Sequence, residues 1–441
     1  MSAAVAPVAP AAAPAAPPAT PSTAPPTGLS PPPLSPPLIS PSALPSGAGT
    51  PEVSMVEASD FTGVTFTPEL WMQRRHWALE VLRKEGIRSV LDLGCGPGSL
   101  LQTLVIPPQT IAERPIAKDG DLPEGRELFI TRVTAVDQEP GVMASAMKTL
   151  EPTGAPRWET LNTELWLGGI ERYNARLEGY QSIVALELIE HLDPHILSRF
   201  GVVTLGTYRP KLMLVSTPNF DFNSKFPDHE HDDCPKRGFA DPTGRTDRVF
   251  RHSDHKIEMT YKEFRNWAMA AAADWGYEVE VSGVGISSKP SYYEGKDGRQ
   301  GKPIYASNTA VFRLTTGVPM RSPRSVRTVE LPFARGVSEA MHPHRLAAKF
   351  IHPVTETPSP GAPLAPAQVE EAVITAFSHV STSNLSLSEL WGLPGVAAAC
   401  AGSKRHLVSS LGGWGNCAPL DGASGAFEVV RAENGLEVRR K

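Results

Sequence analysis

Residues able to do chemistry are densest at Ala185-Leu-Glu-Leu-Ile-Glu-His-Leu-Asp193, where Glu187, Glu190 and His191 stand at spacings of three and four residues. If the segment turns helical, that spacing puts all three side chains on one face. The apolar run Ser182-Ile-Val-Ala-Leu186 just before it has the character of a buried strand. The polar groups would then emerge at a strand's carboxyl end, where open α/β sheets bind ligands. Two carboxylates and an imidazole make a mixed oxygen and nitrogen donor set, suited to Mg²⁺ or Mn²⁺ and poor for a structural zinc. A fourth ligand has to come from elsewhere. Taken alone, Glu-x-x-Glu-His also describes the acidic first turn of a surface helix, favoured by the helix dipole.

A glycine-rich turn gives this segment a context. Ile87-Arg-Ser-Val-Leu-Asp-Leu-Gly-Cys-Gly-Pro-Gly98 runs from an apolar strand through Gly94 and Gly96 into a helical Ser99-Leu-Leu-Gln-Thr-Leu104. Strand, glycine turn and helix open a Rossmann-like unit, in which glycine lets the backbone approach a ligand closely. The next strand, Ile130-Thr-Arg-Val-Thr-Ala-Val136, ends in Asp137, placed to accept hydrogen bonds from the ribose hydroxyls of a nucleoside. A Pro-rich, charged insertion from Pro107 to Glu127 stretches the usual spacing of about 20 residues. Surface loops tolerate such length.

Further elements must hold these residues in place. Phe66 to Leu82 reads as a helix capped by Thr67, with Pro68 at its first position, a stripe of Leu70, Trp71, Trp77, Ala78, Val81 and Leu82, and a solvated Arg74 and Arg75. Helices are expected from Gly141 to Leu150 and, after an Asp193 cap, from Pro194 to Phe200. Lys211 to Ser216 is a buried strand that runs into the turn Thr217-Pro-Asn-Phe-Asp-Phe-Asn223 at the same end of the sheet. Thr260 and Glu263 form a capping box for a helix from Tyr261 to Trp275, and His255 just ahead of it can reach the strand ends. Strands at Tyr277 to Val284 and Thr309 to Thr316 bring the number to six, with a seventh at Thr163 to Leu167. Asp228-His-Glu-His-Asp-Asp-Cys234 reads as part of a flexible acidic loop rather than a metal cluster.

The 441 residues carry 44 prolines, unevenly spread. Residues 1–60, nearly all Ala, Pro and Ser, cannot bury enough apolar surface to fold and read as a disordered leader. Residues 61–317 form the core domain and 318–366 a Pro-rich, basic linker containing Arg321, Arg324, Arg327 and Arg335. Residues 367–441 form a small C-terminal module whose helices and Asn434-Gly435 hairpin signal suit a winged-helix shape. A net charge of -5 does not announce nucleic acid, so a polyanion would need a local patch. Cys95, Cys234, Cys400 and Cys417 match neither a zinc site nor a disulfide framework, which favours reduced thiols. With no apolar run of roughly 20 residues and no basic residue before Arg74, the expectation is a cytoplasmic or nuclear protein that does not enter a membrane.

Together these motifs resemble the small-RNA 2′-O-methyltransferases of the Hua-enhancer type, which methylate the 3′-terminal nucleotide of small RNAs with S-adenosylmethionine. The resemblance spans Phe66 to Tyr293, through Phe66-Thr-Pro-Glu-Leu-Trp, Asp92-Leu-Gly-Cys-Gly, Glu187-Leu-Ile-Glu-His-Leu, Ser216-Thr-Pro-Asn, Phe222-Asn and Ser253-Asp-His-Lys-Ile-Glu. It implies that residues 61–317 are a methyltransferase domain of the α/β, Rossmann-like class I S-adenosylmethionine-dependent kind, a mostly parallel seven-stranded sheet with helices on both faces. It implies further that Glu187, Glu190, His191 and His255 ligate the catalytic metal, and that Gly94, Gly96 and Asp137 contact the methyl donor. Gly169 follows Gly168 where the family often has a serine, so it could touch the donor only through its backbone. The leader shows no counterpart of the plant members' double-stranded RNA modules. The likeness is therefore to the short animal and bacterial forms, which accept a single-stranded small RNA 3′ end, and an Argonaute-type protein is a partner that could deliver it.

The chemistry agrees with the residue types. A ribose hydroxyl is a weak acid that a bound cation can activate, and chelation of the 2′ and 3′ hydroxyls together would confine the reaction to a terminal nucleotide. His191 or His255 could accept the departing proton. Two other readings stand beside this one: a methyltransferase for a small diol or catechol, which uses the same chelating residues, and a non-catalytic RNA-binding scaffold acting through the C-terminal module.

Overall fold

The apolar runs become the strands of one sheet. The computed structural model describes residues 64–107, 122, 127–155, 157–225, 238–286, 304–315, 344–355, 361–433 and 435–441. The leader, the Asp228 to Cys234 stretch and the four-arginine strip lie outside the described residues. The strands are Ser89–Leu93 (β1), Arg132–Asp137 (β2), Leu161–Leu167 (β3), Ser182–Leu186 (β4), Leu212–Pro218 (β5), Phe239–Ala240 (β6), Val249–Phe250 (β7), Tyr277–Val284 (β8), Ser307–Leu314 (β9) and Arg345–His352 (β10). Helices Leu70–Lys84 (α1), Leu101–Leu104 (α2), Pro140–Leu150 (α3), Pro194–Gly201 (α4) and Tyr261–Trp275 (α5) stand between them.

The large sheet has the order β10-β3-β2-β1-β4-β5-β9-β8, and β6 and β7 pair apart from it, antiparallel with each other. Strands β1 to β5 are mutually parallel, and β9 runs antiparallel between β5 and β8. The parallel strands are covered on both faces, so every residue of β5 is buried and the strand reads as one apolar run rather than an alternation. Separate buried clusters pack the two faces: Leu82, Leu101 and Ala146 on one, Phe200, Phe264 and Trp275 on the other. α5 has the expected capping box, with Thr260 and Glu263 satisfying each other's backbone N–H groups.

Two expectations need correction. The sheet has eight strands rather than seven, because β10, inside the stretch read as linker, pairs antiparallel with β3. It is an edge strand with only Ala348, Phe350 and His352 turned inward, an alternation too short to stand out between polar neighbours. Helix α1 starts at Leu70, with Glu69 rather than Thr67 at the cap position.

The C-terminal residues form Pro366–Ser378 (α6), Asn384–Ser386 (β11), Leu387–Gly392 (α7), Val396–Ala399 (α8), Lys404–Ser410 (α9), Phe427–Ala432 (β12) and Gly435–Arg440 (β13). Strand β13 pairs antiparallel with both β11 and β12. Their apolar cluster includes Leu122, Phe129 and Trp158, which precede β2 and β3, so it is continuous with the amino ends of the large sheet. Phe129 and Trp158 stack at 4.6 Å between ring centroids, and Glu127 N–H donates to the Gly402 carbonyl. No helix among the described residues is long and apolar enough to cross a membrane.

Trp158→Ala opens a cavity in this shared core and is expected to cost about 3–5 kcal/mol of stability. Denaturant unfolding reads the loss. Limited proteolysis should then release the segment after residue 355 more readily than in the wild type.

Candidate active site

The chain leaves β4 through Glu187, whose backbone is left-handed at φ 50°. For a non-glycine residue that conformation costs about 1–2 kcal/mol. The next turn, Ile189–His191, is a 3₁₀ turn and not an α-helix. Glu187 therefore does not share a helical face with Glu190 and His191. Its Oε1 accepts a hydrogen bond from Ser216 Oγ at 2.8 Å, and its Oε2 lies 3.3 Å from Ser307 Oγ and 3.3 Å from Arg74 Nη1. Arg74, read from the sequence as solvated, is largely covered in this pair.

Glu190, His191 and His255 bring one ligand atom each to within 4.8 Å of one another. Glu190 is buried, and its Oε2 accepts from the Thr217 hydroxyl at 2.9 Å. Its backbone carbonyl accepts N–H bonds from Lys256 at 2.6 Å and Ile257 at 3.2 Å. Those two bonds tie the His255 segment to the turn after β4, although the two lie far apart in sequence. His255 Nδ1 faces Glu258 Oε1 at 2.7 Å, and His191 Nδ1 faces Asp254 Oδ2 at 3.1 Å. Carboxylates only accept, so each Nδ1 carries the proton and each ring keeps Nε2 for a cation.

Burial, and then the neighbouring Glu187, push the Glu190 carboxyl well above the ordinary carboxylate range. Burial also lowers His191, with the nearby Asp254 acting the other way, which favours the neutral imidazole that binds metals. Glu258 ends below its ordinary value: burial opposes this, and the hydrogen bond from His255 and the charge of Arg251 outweigh it. A buried carboxylate with two imidazoles beside it fits a divalent cation.

A second pocket edge lies at the same strand ends. After β1 the chain turns at Gly94 and Gly96, at φ 71° and 52°. A Cβ at Gly94 would come 2.6 Å from Leu188 Cδ1, whereas one at Gly96 would project into open space. The glycine turn is thus packed against the turn that carries Leu188 on one side and open on the other. Asp137 Oδ2 accepts from Gly96 N–H at 2.8 Å and Oδ1 from Glu139 N–H at 2.9 Å, so Asp137 also shapes the turn it borders. Gly168 N–H donates to the Asp137 carbonyl, which brings Gly169 to the same end, beside the Glu171 carboxylate. Asp92, at the end of β1, is buried with no hydrogen-bond partner for Oδ2 among the described residues. Burial, with a smaller push from Asp137, raises its pKa to about 7. An unmatched buried carboxylate beside an open glycine turn fits a cationic donor such as S-adenosylmethionine.

Sequence reasoning assigned no role to Arg74, Thr217, Asp254 or Glu258. Thr217 stands at a strand end, and Glu258 is three residues beyond His255. Those positions were the available signals.

A sheet of this order, with a glycine turn after β1 and an acidic end to β2, is that of a Rossmann-like class I S-adenosylmethionine-dependent methyltransferase. Comparison with known proteins goes further. No protein-family profile matches the chain. It is 30% identical over 249 residues to the small RNA 2′-O-methyltransferase of Arabidopsis thaliana, covering 56% of this chain and 23% of that protein. Identity is 32% over 230 residues to the Xenopus tropicalis protein of the same name, covering 51% and 52%. The crystal structure of small RNA methyltransferase HEN1 aligns at 26% identity and a TM-score of 0.45, covering 65% of this chain and 29% of that one. Through about half of its length the chain is similar to the small RNA 2′-O-methyltransferases, and it spans about half the length of the curated animal proteins it matches.

The folded pKa of Asp92 lies above the ordinary 3.8, so the unfolded chain binds fewer protons than the folded one between that value and about 7. Stability is therefore lost as pH rises through this window and is unaffected by Asp92 below it. Asp92→Asn should stabilise the protein without donor by up to about 4 kcal/mol above roughly pH 7, and give no such gain below about pH 4. Denaturant unfolding at the two pH values checks this, and donor affinity should fall in the same variant.

Proposed function

We propose that the protein transfers the methyl group of S-adenosylmethionine to the 2′-hydroxyl of the 3′-terminal nucleotide of small RNAs, with Mg²⁺ or Mn²⁺ held by Glu190, His191, His255 and Glu187. The observation that carries this reading is the buried Glu190 carboxylate between two imidazoles, set against the glycine turn through the Leu188 and Gly94 contact. The names of the relatives support the substrate class. Glu187 enters the ligand set through the resemblance to those enzymes, and its carboxylate stands paired with Arg74.

When bound, the cation supplies the Lewis acidity that activates a ribose hydroxyl near neutral pH, and the donor supplies an electrophilic methyl group. The residues of the chain do the positioning. Glu187 and Glu190 provide negative charge, while Ser216, Ser307 and Thr217 hold their carboxylates by hydrogen bonds. With each Nδ1 facing a carboxylate, a cation held on the two Nε2 atoms would leave neither imidazole free to take the departing proton, which would pass to solvent. A vicinal diol would be required at the RNA end, and the Gly94 and Gly96 turn would hold the donor at the same strand ends.

Methyl-labelled donor, Mn²⁺ and a short single-stranded RNA ending in a 2′,3′-diol test the reading, beside the same RNA ending in a 2′-deoxy nucleotide and a catechol. Label should enter only the diol RNA and vanish with chelator or in Glu190→Gln. Transfer to catechol alone would assign a small-diol enzyme instead. No transfer to any acceptor, with the donor bound, would overturn the catalytic reading.

A further inference from the structure

We propose that Glu258 is the positioning residue that fixes His255 for cation binding, and that Asp254 does the same for His191 more weakly. This rests on the reading that Glu190, His191 and His255 hold a divalent cation. The short segment Ser253-Asp-His-Lys-Ile-Glu258 would then supply one ligand and the orienting carboxylate of both histidines.

The two carboxylates differ in how firmly they are held. Glu258 is fully buried, with Oε1 accepting from His255 Nδ1 at 2.7 Å and from Arg251 N–H at 2.7 Å, and Oε2 accepting from Asn223 Nδ2 at 2.8 Å. The Arg251 guanidinium stands 3.9 Å from Oε2. Three donors from three directions leave the carboxylate a single orientation, and it in turn fixes the His255 ring and its tautomer. It is out of reach of bulk water. The Asp254 side chain is 55% exposed and also contacts His252, so solvent can substitute for it at His191. Carboxylates behind metal-binding histidines usually contribute about 10–100-fold in affinity, and one that solvent can replace contributes less.

The test uses the full chain and Mn²⁺ alone, with the free ion measured by electron paramagnetic resonance. Glu258→Gln should weaken Mn²⁺ binding by about 10–100-fold, and Asp254→Asn by less than about tenfold. Asn223→Ala removes a different hydrogen bond from the same carboxylate and should have a smaller effect than Glu258→Gln. S-adenosylmethionine affinity, unchanged in all three, confirms that the sheet is intact. If Glu258→Gln does not fold, Glu258→Asp, which keeps the charge but shortens the reach, replaces it with the same expected loss. A second readout needs no metal: nitrogen-15 spectra of the imidazoles above about pH 8 should show His255 protonated at Nδ1 in the wild type and shifted towards Nε2–H in Glu258→Gln. Equal effects of Glu258→Gln and Asn223→Ala, or an unchanged His255 tautomer, would overturn the proposal. Failure of the wild type to bind Mn²⁺ would instead sink the cation reading, and the nitrogen spectra alone would then decide what Glu258 does.

Discussion

A carboxylate removed from water must meet a cation or give up its charge. Glu190 is in that position, and the site is built around it. The end of β5 provides the Thr217 hydroxyl, the 3₁₀ turn after β4 brings His191 alongside, and two backbone N–H bonds to the Glu190 carbonyl draw in the His255 segment. None of these contacts neutralises the charge. They hold two imidazoles beside a carboxylate that remains unmatched, at a cost that includes the left-handed backbone of Glu187.

The same strand ends carry the second requirement of the chemistry, a place for the donor. Leu188, between two of the proposed ligands, packs on Gly94, so the donor turn and the ligand turn share a wall. The C-terminal core meets the sheet at the opposite end, through residues that precede β2 and β3. The length of β2 separates the two ends by about 20 Å. That location suits a brace for the sheet's amino ends, not a wall of the site.

Much of this was legible in the sequence because the signals were local or deeply buried. Parallel strands covered on both faces read as continuous apolar runs, and the Thr260 and Glu263 capping box needs only four residues to be seen. The edge strand β10 hid because it buries one face over a short span. Glu187 was misplaced because its spacing was read as helical, whereas the chain makes a strained turn that sends its side chain to Arg74. Contacts such as Arg74 with Glu187, or Asn223 with Glu258, join segments distant in sequence and leave no periodic trace. His255 could be placed near the strand ends, but the orientation of its ring could not, and that orientation is what gives Glu258 its role.

The central claim is that Glu190, His191 and His255 are a cation site. Anomalous scattering at the manganese edge, from crystals of the full chain grown with Mn²⁺ and S-adenosylmethionine, tests it most directly. The account predicts a peak bonded to the Glu190 carboxylate and to Nε2 of both histidines. A peak at His252 and Asp254 instead, or no peak beside Glu190, would contradict it.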